Sequence, residues 1–400
     1  MRRIRTLGVG LAVVALLSTG CVWNYETLDG PGGKPGSSTE VQGFFSSAVV
    51  YNGAPHVFYA GRAAGTNWVL RHAYWNGSFW AFETLDGLGG RPGHTNNHVG
   101  RGTSAVLYNG RPHVFYDDET DHALRHAYWN GVAWAFETLD GNGGGGGRTT
   151  NDVGAQPSVM LYNGRPHLFY PDGDDNSLRH GYYNGVAWAF EVLDGLGGPH
   201  GRTTNIVGSY PAPLLYNGRP HVFYYDGTVA ALRHAYWNGS FWAFETLDGP
   251  GGRPGSTVNA VGKFGSAVVY GSRPHVFYND NDDDSLRHAY YNGVTWAFET
   301  LDGTGSVVPG HSNAKLGYDT AATLYGGRPD VYYGTDDSLR RAYYDGSAWE
   351  FTNIDGPDSS LPGHTNDSVG YENSVVAISG KIHVFNRDFT TGALRHVWFG

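Results

Sequence analysis

Residues 102–141 read GTSAVLYNGRPHVFYDDETDHALRHAYWNGVAWAFETLDG, and the folding of this stretch decides the architecture of the whole chain. It contains four short apolar and aromatic runs: Ser104 to Tyr108, His113 to Tyr116, Leu124 to Trp129 and Trp134 to Leu139. Turn signals separate them, namely Asn109-Gly110, the acidic segment after Tyr116, Asn130-Gly131 and Asp140-Gly141. Asn-Gly and Asp-Gly between apolar runs favour tight hairpins, because these residues accept left-handed dihedrals at little cost. Four consecutive strands joined by tight turns make one antiparallel sheet. The unit is too short for a two-sheet sandwich, which needs roughly 100 residues.

The unit repeats. Its anchor tryptophans are Trp23, Trp80, Trp134, Trp188, Trp242, Trp296 and Trp349, at steps of 57, 54, 54, 54, 54 and 53 residues. A fixed period of this size marks an array in which each unit packs on its neighbours. Repeated four-stranded sheets make a propeller, so the expected fold is all-β with seven blades of four antiparallel strands. The ends of the chain complete the argument. VWNYETLDG (22–30) is a fourth strand without the preceding three, and SVVAISGKIHVFNRDFTTGALRHVWFG (374–400) is three strands without a fourth. The N-terminal strand is therefore expected to complete the last blade, closing the ring and covering an otherwise exposed sheet edge. Residues 21–400 read as a single propeller.

Composition narrows the function. With 37 acidic residues against 27 Lys and Arg, the net charge is −10, and the arginines are dispersed through the repeats. Nucleic-acid binding needs clustered cations and is not expected. Residues 1–20 differ from the rest: Arg2, Arg3 and Arg5 precede an apolar run from Leu7 to Leu17, followed by Ser18-Thr19-Gly20-Cys21. That layout is a secretory signal, too short to span a membrane permanently. It resembles a bacterial lipoprotein signal, with the one cysteine of the chain at the processing point. Ser18 stands where that class usually has Leu. The resemblance implies lipidation at Cys21, membrane attachment and a cell-envelope or extracellular location. An ordinary signal peptide with an incidental cysteine is the alternative.

Histidine and arginine keep the beat of the repeat. His113/His126, His167/His180, His221/His234 and His275/His288 are each 13 residues apart, as are His383/His396. Folding each hairpin about its acidic turn is expected to set the two residues directly across from one another. In the sixth unit Asp330 and Arg341 take these places, a charge pair where the others have a His pair. Neutral imidazoles bonded to each other are one reading, and ligand contact by both members of each pair is another. Metal binding lacks a third ligand fixed by the repeat, so no metal or cofactor is expected. Arg71, Arg125, Arg179, Arg233 and Arg287 precede the second His position, and Trp75, Trp129, Tyr183, Trp237 and Tyr291 follow each Arg by four residues. Strand alternation puts Arg and ring on one face, either as a sugar platform or as cation–π packing between blades. The acidic turns lack the spacing of calcium loops and read as hairpin turns. Gly-rich segments such as GLGGRPGHTNNHVG (87–100) join successive blades on one side of the disc. Their recurring Thr and Asn suit turn chemistry, with ligand contact the alternative.

HVFYDDETDHALRHAYWNGVAW (113–134) resembles the repeats of fucose-binding lectin propellers, which pair a V-[YF]-[YF]-x-D strand with an [IL]-R strand followed by Gly and Trp. The resemblance extends over all seven units. It implies shallow sugar pockets between adjacent blades and a multivalent, non-catalytic, glycan-binding protein. One departure is plain: the fungal members hold sugar with Arg and Glu, where this chain has His and His. A protein-interaction platform on the Gly-rich face is the second expectation and a glycoside-active enzyme the third. No catalytic residue is assigned, because catalysis needs a unique asymmetric cluster and symmetric repeats do not supply one. The oligomeric state is not legible.

Overall fold

The computed structural model describes residues 22–63, 65–143 and 145–400. The expected export signal over residues 1–20 and the lipidation at Cys21 lie outside the described residues. Seven four-stranded antiparallel sheets form a ring. In blade 2 the strands are Val99–Tyr108, Arg111–Asp118, Ala123–Trp129 and Trp134–Asp140, in that order from the axis outward. Each outlasts its apolar run, because pairing continues into the turn residues. Blade 7 is built as expected: Trp23–Asp29 pairs with Ala393–Phe399, matching Trp23 to Phe399 and Glu26 to His396. Innermost strands touch from blade to blade, including Phe44–Tyr51 of blade 1 against Tyr371–Ile378 of blade 7.

The core lies between blades. Phe58, Leu70 and Leu85 of blade 1 pack with Val99, Val114, Tyr116 and Ala127 of blade 2, all of them fully buried. The Asp of each LDG turn clamps this seam. Asp86 is fully buried, and its Oδ2 accepts from Tyr116 Oη at 2.6 Å and Arg125 Nε at 2.9 Å, both on the next blade. Its Oδ1 accepts from the Thr95 amide at 2.7 Å, which pins the Gly-rich connection. The same Asp–Arg bond recurs at Asp29, Asp140, Asp194, Asp248, Asp302 and Asp355. The Gly that ends this turn is obligatory on steric grounds: Gly141 has φ +105° and an added Cβ would lie 2.6 Å from His122 O. In the connections, Asn97, Asn151, Asn205 and Asn259 donate to Asp118, Asp172, Asp226 and Asp280 of the acidic turns. Turn chemistry thus occupies those polar groups.

Candidate functional sites: interblade clefts and an axial cavity

The first site repeats. His113 Nδ1 lies 2.9 Å from His126 Nε2, and His126 Nδ1 lies 2.9 Å from Glu137 Oε1. The order of partners sets the tautomers. Ionised Glu137 can only accept, so His126 donates from Nδ1 and accepts at Nε2 from His113 Nδ1–H. The relay recurs at His56/His72/Glu83, His167/His180/Glu191, His221/His234/Glu245 and His275/His288/Glu299, and at His383/His396 with Glu26 from the N-terminal strand. The pairs are diagonal rather than directly opposite as expected: Phe115 faces His126, and His113 faces Tyr128. The rings still meet, because diagonal neighbours on one sheet face lie within reach of aromatic side chains. Blade 6 substitutes a bidentate Asp330–Arg341 pair at 2.6 and 2.8 Å.

The expectation of ligand contact by both members of each pair is corrected for the inner histidines. His126, His180, His234 and His288 are buried at 2–3% exposure. Both ring nitrogens of each are already spent. His180 is held between His167 and Glu191, His234 between His221 and Glu245, and His288 between His275 and Glu299. The flat faces are covered too, since Phe169, Phe223 and Phe277 stack on His180, His234 and His288 at 4.5–4.9 Å between centroids. An imidazole with no free nitrogen and little exposed surface orients its outer partner and packs the seam. Its ring offers no free nitrogen to a ligand in the cleft. The outer histidines, His113, His167, His221 and His275, are less deeply placed and keep Nε2 outside the relay.

The relays line clefts between blades. One of about 550 Å³ is bounded by His56, His72, Tyr74 and Glu83 of one blade and Trp129 and Trp134 of the next. Trp134 Nε1 donates to Glu83 Oε1 at 3.2 Å across the seam. Similar clefts of about 440 and 470 Å³ lie over His221/His234 and His275/His288. Burial lowers the outer imidazoles, His56, His113, His167, His221 and His275, to about 3, with the second imidazole adding to the effect. They are neutral across the physiological range and too weakly basic to abstract a proton near pH 7.

The sugar platform of Arg and aromatic is likewise corrected, because the arginines are turned into the seams. Arg71, Arg125, Arg179, Arg233 and Arg287 each bond the buried Asp of the preceding blade. Their aromatic companions turn to the blade's outer edge, where Trp75, Trp129, Tyr183, Trp237 and Tyr291 pack on Trp80, Trp134, Trp188, Trp242 and Trp296 at 5.7–6.1 Å between centroids. Guanidinium and ring share a strand face without meeting. Among the described residues no group of three His, Cys, Asp or Glu side chains converges as metal ligands would.

The second site is where the repeat breaks. The innermost strands bulge, as at the register shift between Arg101 and Ser104 in blade 2 and between Tyr371 and Ser374 in blade 7. At each equivalent position one residue takes a left-handed conformation: Phe45, Gly102, Gln156, Tyr210, Phe264, Asp319 and Glu372, with φ between 48° and 59°. For bulky non-glycine residues this is a strained backbone held by its surroundings, a condition concentrated at functional sites. These seven positions ring an axial cavity of about 480 Å³. They carry side chains of six kinds, whereas the seam and cleft positions barely vary.

Two of the seven are carboxylic acids on neighbouring blades. Asp319 Oδ2 accepts from the Glu372 backbone N–H at 2.9 Å, and Asn373 Nδ2 donates to Asp319 O at 2.9 Å. Glu372 Oε2 and Asn373 Oδ1 are buried with no hydrogen-bond partner. Burial, then the charge of Asp319, raises Glu372 to about 7, against the pull of Arg387 and the Phe45 amide. Burial likewise raises Asp319, opposed by the bond from the Glu372 amide. Tyr210 lies close enough to Asp319 to feel its charge. Sequence reading missed this pair because both residues sit at positions that look like ordinary variation. The available signal was that the innermost strand of each unit varies where the rest does not.

Fold and sites together define a closed seven-bladed β-propeller with repeated interblade clefts and one asymmetric axial cavity. No protein-family model and no curated protein matches the sequence. Solved structures do match. YCF48 from Cyanidioschyzon merolae is similar at 12% identity and TM-score 0.51, over 94% of this chain and 98% of that one. AofleA from Arthrobotrys oligospora is similar at 15% identity and TM-score 0.48, over 84% and 90%. Trypanosoma rangeli sialidase in complex with sialic acid is similar at 12% identity and TM-score 0.46, over 95% of this chain and 57% of that one. At such identities the likeness establishes the fold.

The expectation of a non-catalytic, lectin-like protein, with no enzyme and no catalytic residue, is corrected. Sialidases and a thermostable family-43 glycoside hydrolase stand among the matched structures, at 11–13% identity, where the likeness is one of fold. The physical premise of the expectation also fails, since the ring does contain an asymmetric cluster, the axial carboxyl pair, on a scaffold built of near-identical blades.

Proposed function

We propose that this protein is a glycan-active enzyme whose reaction centre is the axial cavity, with Glu372 as general acid and Asp319 as its ionised partner. The observation that carries the reading is the carboxyl pair on a ring of positions where the repeat is broken. Glycoside cleavage by two carboxyl groups requires their proton affinities to differ, so that one donates a proton while the other stays charged. Glu372 supports the first role: it is raised to about 7, and its Oε2 is unpartnered beside the cavity. Asp319 takes the second: burial raises its carboxyl, and the Glu372 amide, donating to its Oδ2, opposes that rise by favouring the charged form. In the reaction Glu372 gives its proton to the leaving glycosidic oxygen as the C–O bond breaks. Asp319 takes a proton from the attacking water as the new C–O bond forms. Water thus adds across the bond, and one proton passes from Asp319 back to Glu372 before the next turnover.

The test is hydrolysis of a panel of aryl glycosides and natural oligosaccharides by the 22–400 chain. Glu372→Gln and Asp319→Asn should each lower kcat by about 10²- to 10⁴-fold, the usual worth of general acid–base catalysis. Activity should fall as pH rises through about 7, where Glu372 loses its proton. Absence of hydrolysis across the panel, or full activity in Glu372→Gln, would overturn the reading.

A further inference from the structure

The strands of each blade alternate in direction, so the first and third turns lie on one face of the disc. The acidic second turns and the Gly-rich connections lie on the other. On the first face a cation follows the Gly of the first turn in six blades: Arg111, Arg165, Arg219, Arg273, Arg328 and Lys381, all exposed. The third turn adds an apolar tip in Phe79, Val132, Val186 and Val294, and the three valines are 87–89% exposed. Cation and tip are neighbours within a blade. The Arg111 guanidinium lies across Gly131, beside Val132, so that an added Cβ would meet its Nη2 at 2.8 Å. Arg165 lies the same way over Gly185, beside Val186, at 2.7 Å, and Arg273 over Gly293, beside Val294, at 3.0 Å.

Neither half of this pairing is spent in the core. The seam arginines hold buried aspartates. Among the described residues none of these six cations has a carboxylate within ion-pair distance, and Arg111 bonds a backbone carbonyl, Asn130 O, at 2.6 Å. The one acidic side chain in these turns, Asp345, accepts from the amides of Ser347 and Ala348. A lone exposed valine is ordinary, but valines repeated in one plane beside fixed cations mark an interaction surface.

Charge is segregated between the faces. Asp174, Asp175, Asp282, Asp283, Asp336 and Asp337 are exposed on the far side. An eight-residue strand such as Arg111–Asp118 separates the two faces by roughly 25 Å. That exceeds the Debye length of about 10 Å at 0.1 M salt, so an anionic surface meets the cations while the acids are screened.

We propose that this face docks onto a bilayer carrying anionic lipid headgroups, with the cations at the phosphates and the apolar tips in the interfacial layer. Electrostatic attraction and apolar burial act together there. A second copy of the ring fits less well. Face to face it sets six cations against six, and head to tail it presses valines onto solvated aspartates. The closing strand also begins on this face: Val22 is 60% exposed, and Trp23 pairs with Phe399 at the third-turn end of blade 7. The 21 preceding residues therefore join the ring here, and an acyl chain at Cys21, expected from the sequence, would enter the same bilayer.

The experiment is cosedimentation of the 22–400 chain, which lacks Cys21, with vesicles of phosphatidylcholine alone or mixed with phosphatidylglycerol. The mixed vesicles should bind at least about tenfold more tightly, and the binding should weaken as salt is added. Arg165→Gln combined with Arg219→Gln should weaken it by about tenfold or more, and Val132→Ser combined with Val186→Ser by about fivefold, with the melting temperature retained in both. Lys315→Gln, on the acidic face beside Asp284, should leave binding unchanged. Equal binding to both vesicles, unchanged binding in the double Arg variant, or a loss in Lys315→Gln as large as in Arg165→Gln would overturn the proposal. So would rings that self-associate in sedimentation velocity and ignore vesicles, an outcome that assigns the face to a second copy. None of the substituted residues lines the axial cavity, so the result is independent of the hydrolysis assay.

Discussion

An imidazole kept neutral inside a protein ties stability to pH. Burial holds the outer His of five relays at about 3 and His383 at about 4. The unfolded chain binds these protons near pH 6.5, well before the folded chain does. Acidification below about 6.5 therefore favours the unfolded state progressively down to about pH 3, with the sign fixed by the greater proton uptake of the unfolded chain. The relay carboxylates add to this at lower pH, since Glu26 and Glu83 are lowered to about 2 in the fold, by their His and Lys or Arg partners against the opposing effect of burial. The melting temperature should thus drop steadily from pH 7.5 to pH 5. An unchanged value over that span would show that the imidazoles are not held neutral. Sequence spacing alone paired these histidines correctly as neighbours. It could not give the diagonal register or the recruitment of Glu137 from the next strand, because both depend on strand pairing and its bulge between Leu124 and Arg125. Nor could spacing separate the outer His167, His221 and His275 from the inner His180, His234 and His288, because the phenylalanine and carboxylate that enclose the inner ring come from other strands.

At the scale of the blade, what matters is the seam. Each fourth strand ends in a buried Asp whose partners lie on the following blade, so the LDG motif is an interblade clamp as much as a turn. Asp86→Ala would leave the Arg125 guanidinium, at 8% exposure, and the Tyr116 hydroxyl, fully buried, without their acceptor. Removing one partner from a buried charge pair costs about 3–5 kcal/mol, so this variant should lose that much in denaturant unfolding. A loss below about 1 kcal/mol, the worth of an exposed pair, would show that water takes over the acceptor role. Sequence reading placed Arg125 beside Trp129 from strand alternation, and they do share a face. The guanidinium nevertheless turns to Asp86, because a buried cation is held by the nearest buried carboxylate rather than by a ring at the blade's edge.

For the whole ring, closure is the cooperative event. Trp23–Asp29 supplies the fourth strand of blade 7, the Glu26 of its relay and, through Asp29, the clamp onto Arg71 of blade 1. Deleting residues 22–29 should remove all three at once, exposing the Ala393–Phe399 strand as an open edge. The expected outcome is a fall in melting temperature of more than about 10 °C with concentration-dependent aggregation, read by scanning calorimetry and light scattering. An unaltered, monodisperse ring would mean that the closing strand is dispensable. By itself the sequence determined the blade count, the strands and the closure, because a 54-residue period and its turn residues act locally and repeat. Only the tertiary structure decided where the chain departs from its own symmetry. Asp319, Glu372 and Phe45 belong to three different blades, and closing a ring is what carries residues so distant in sequence to one cavity.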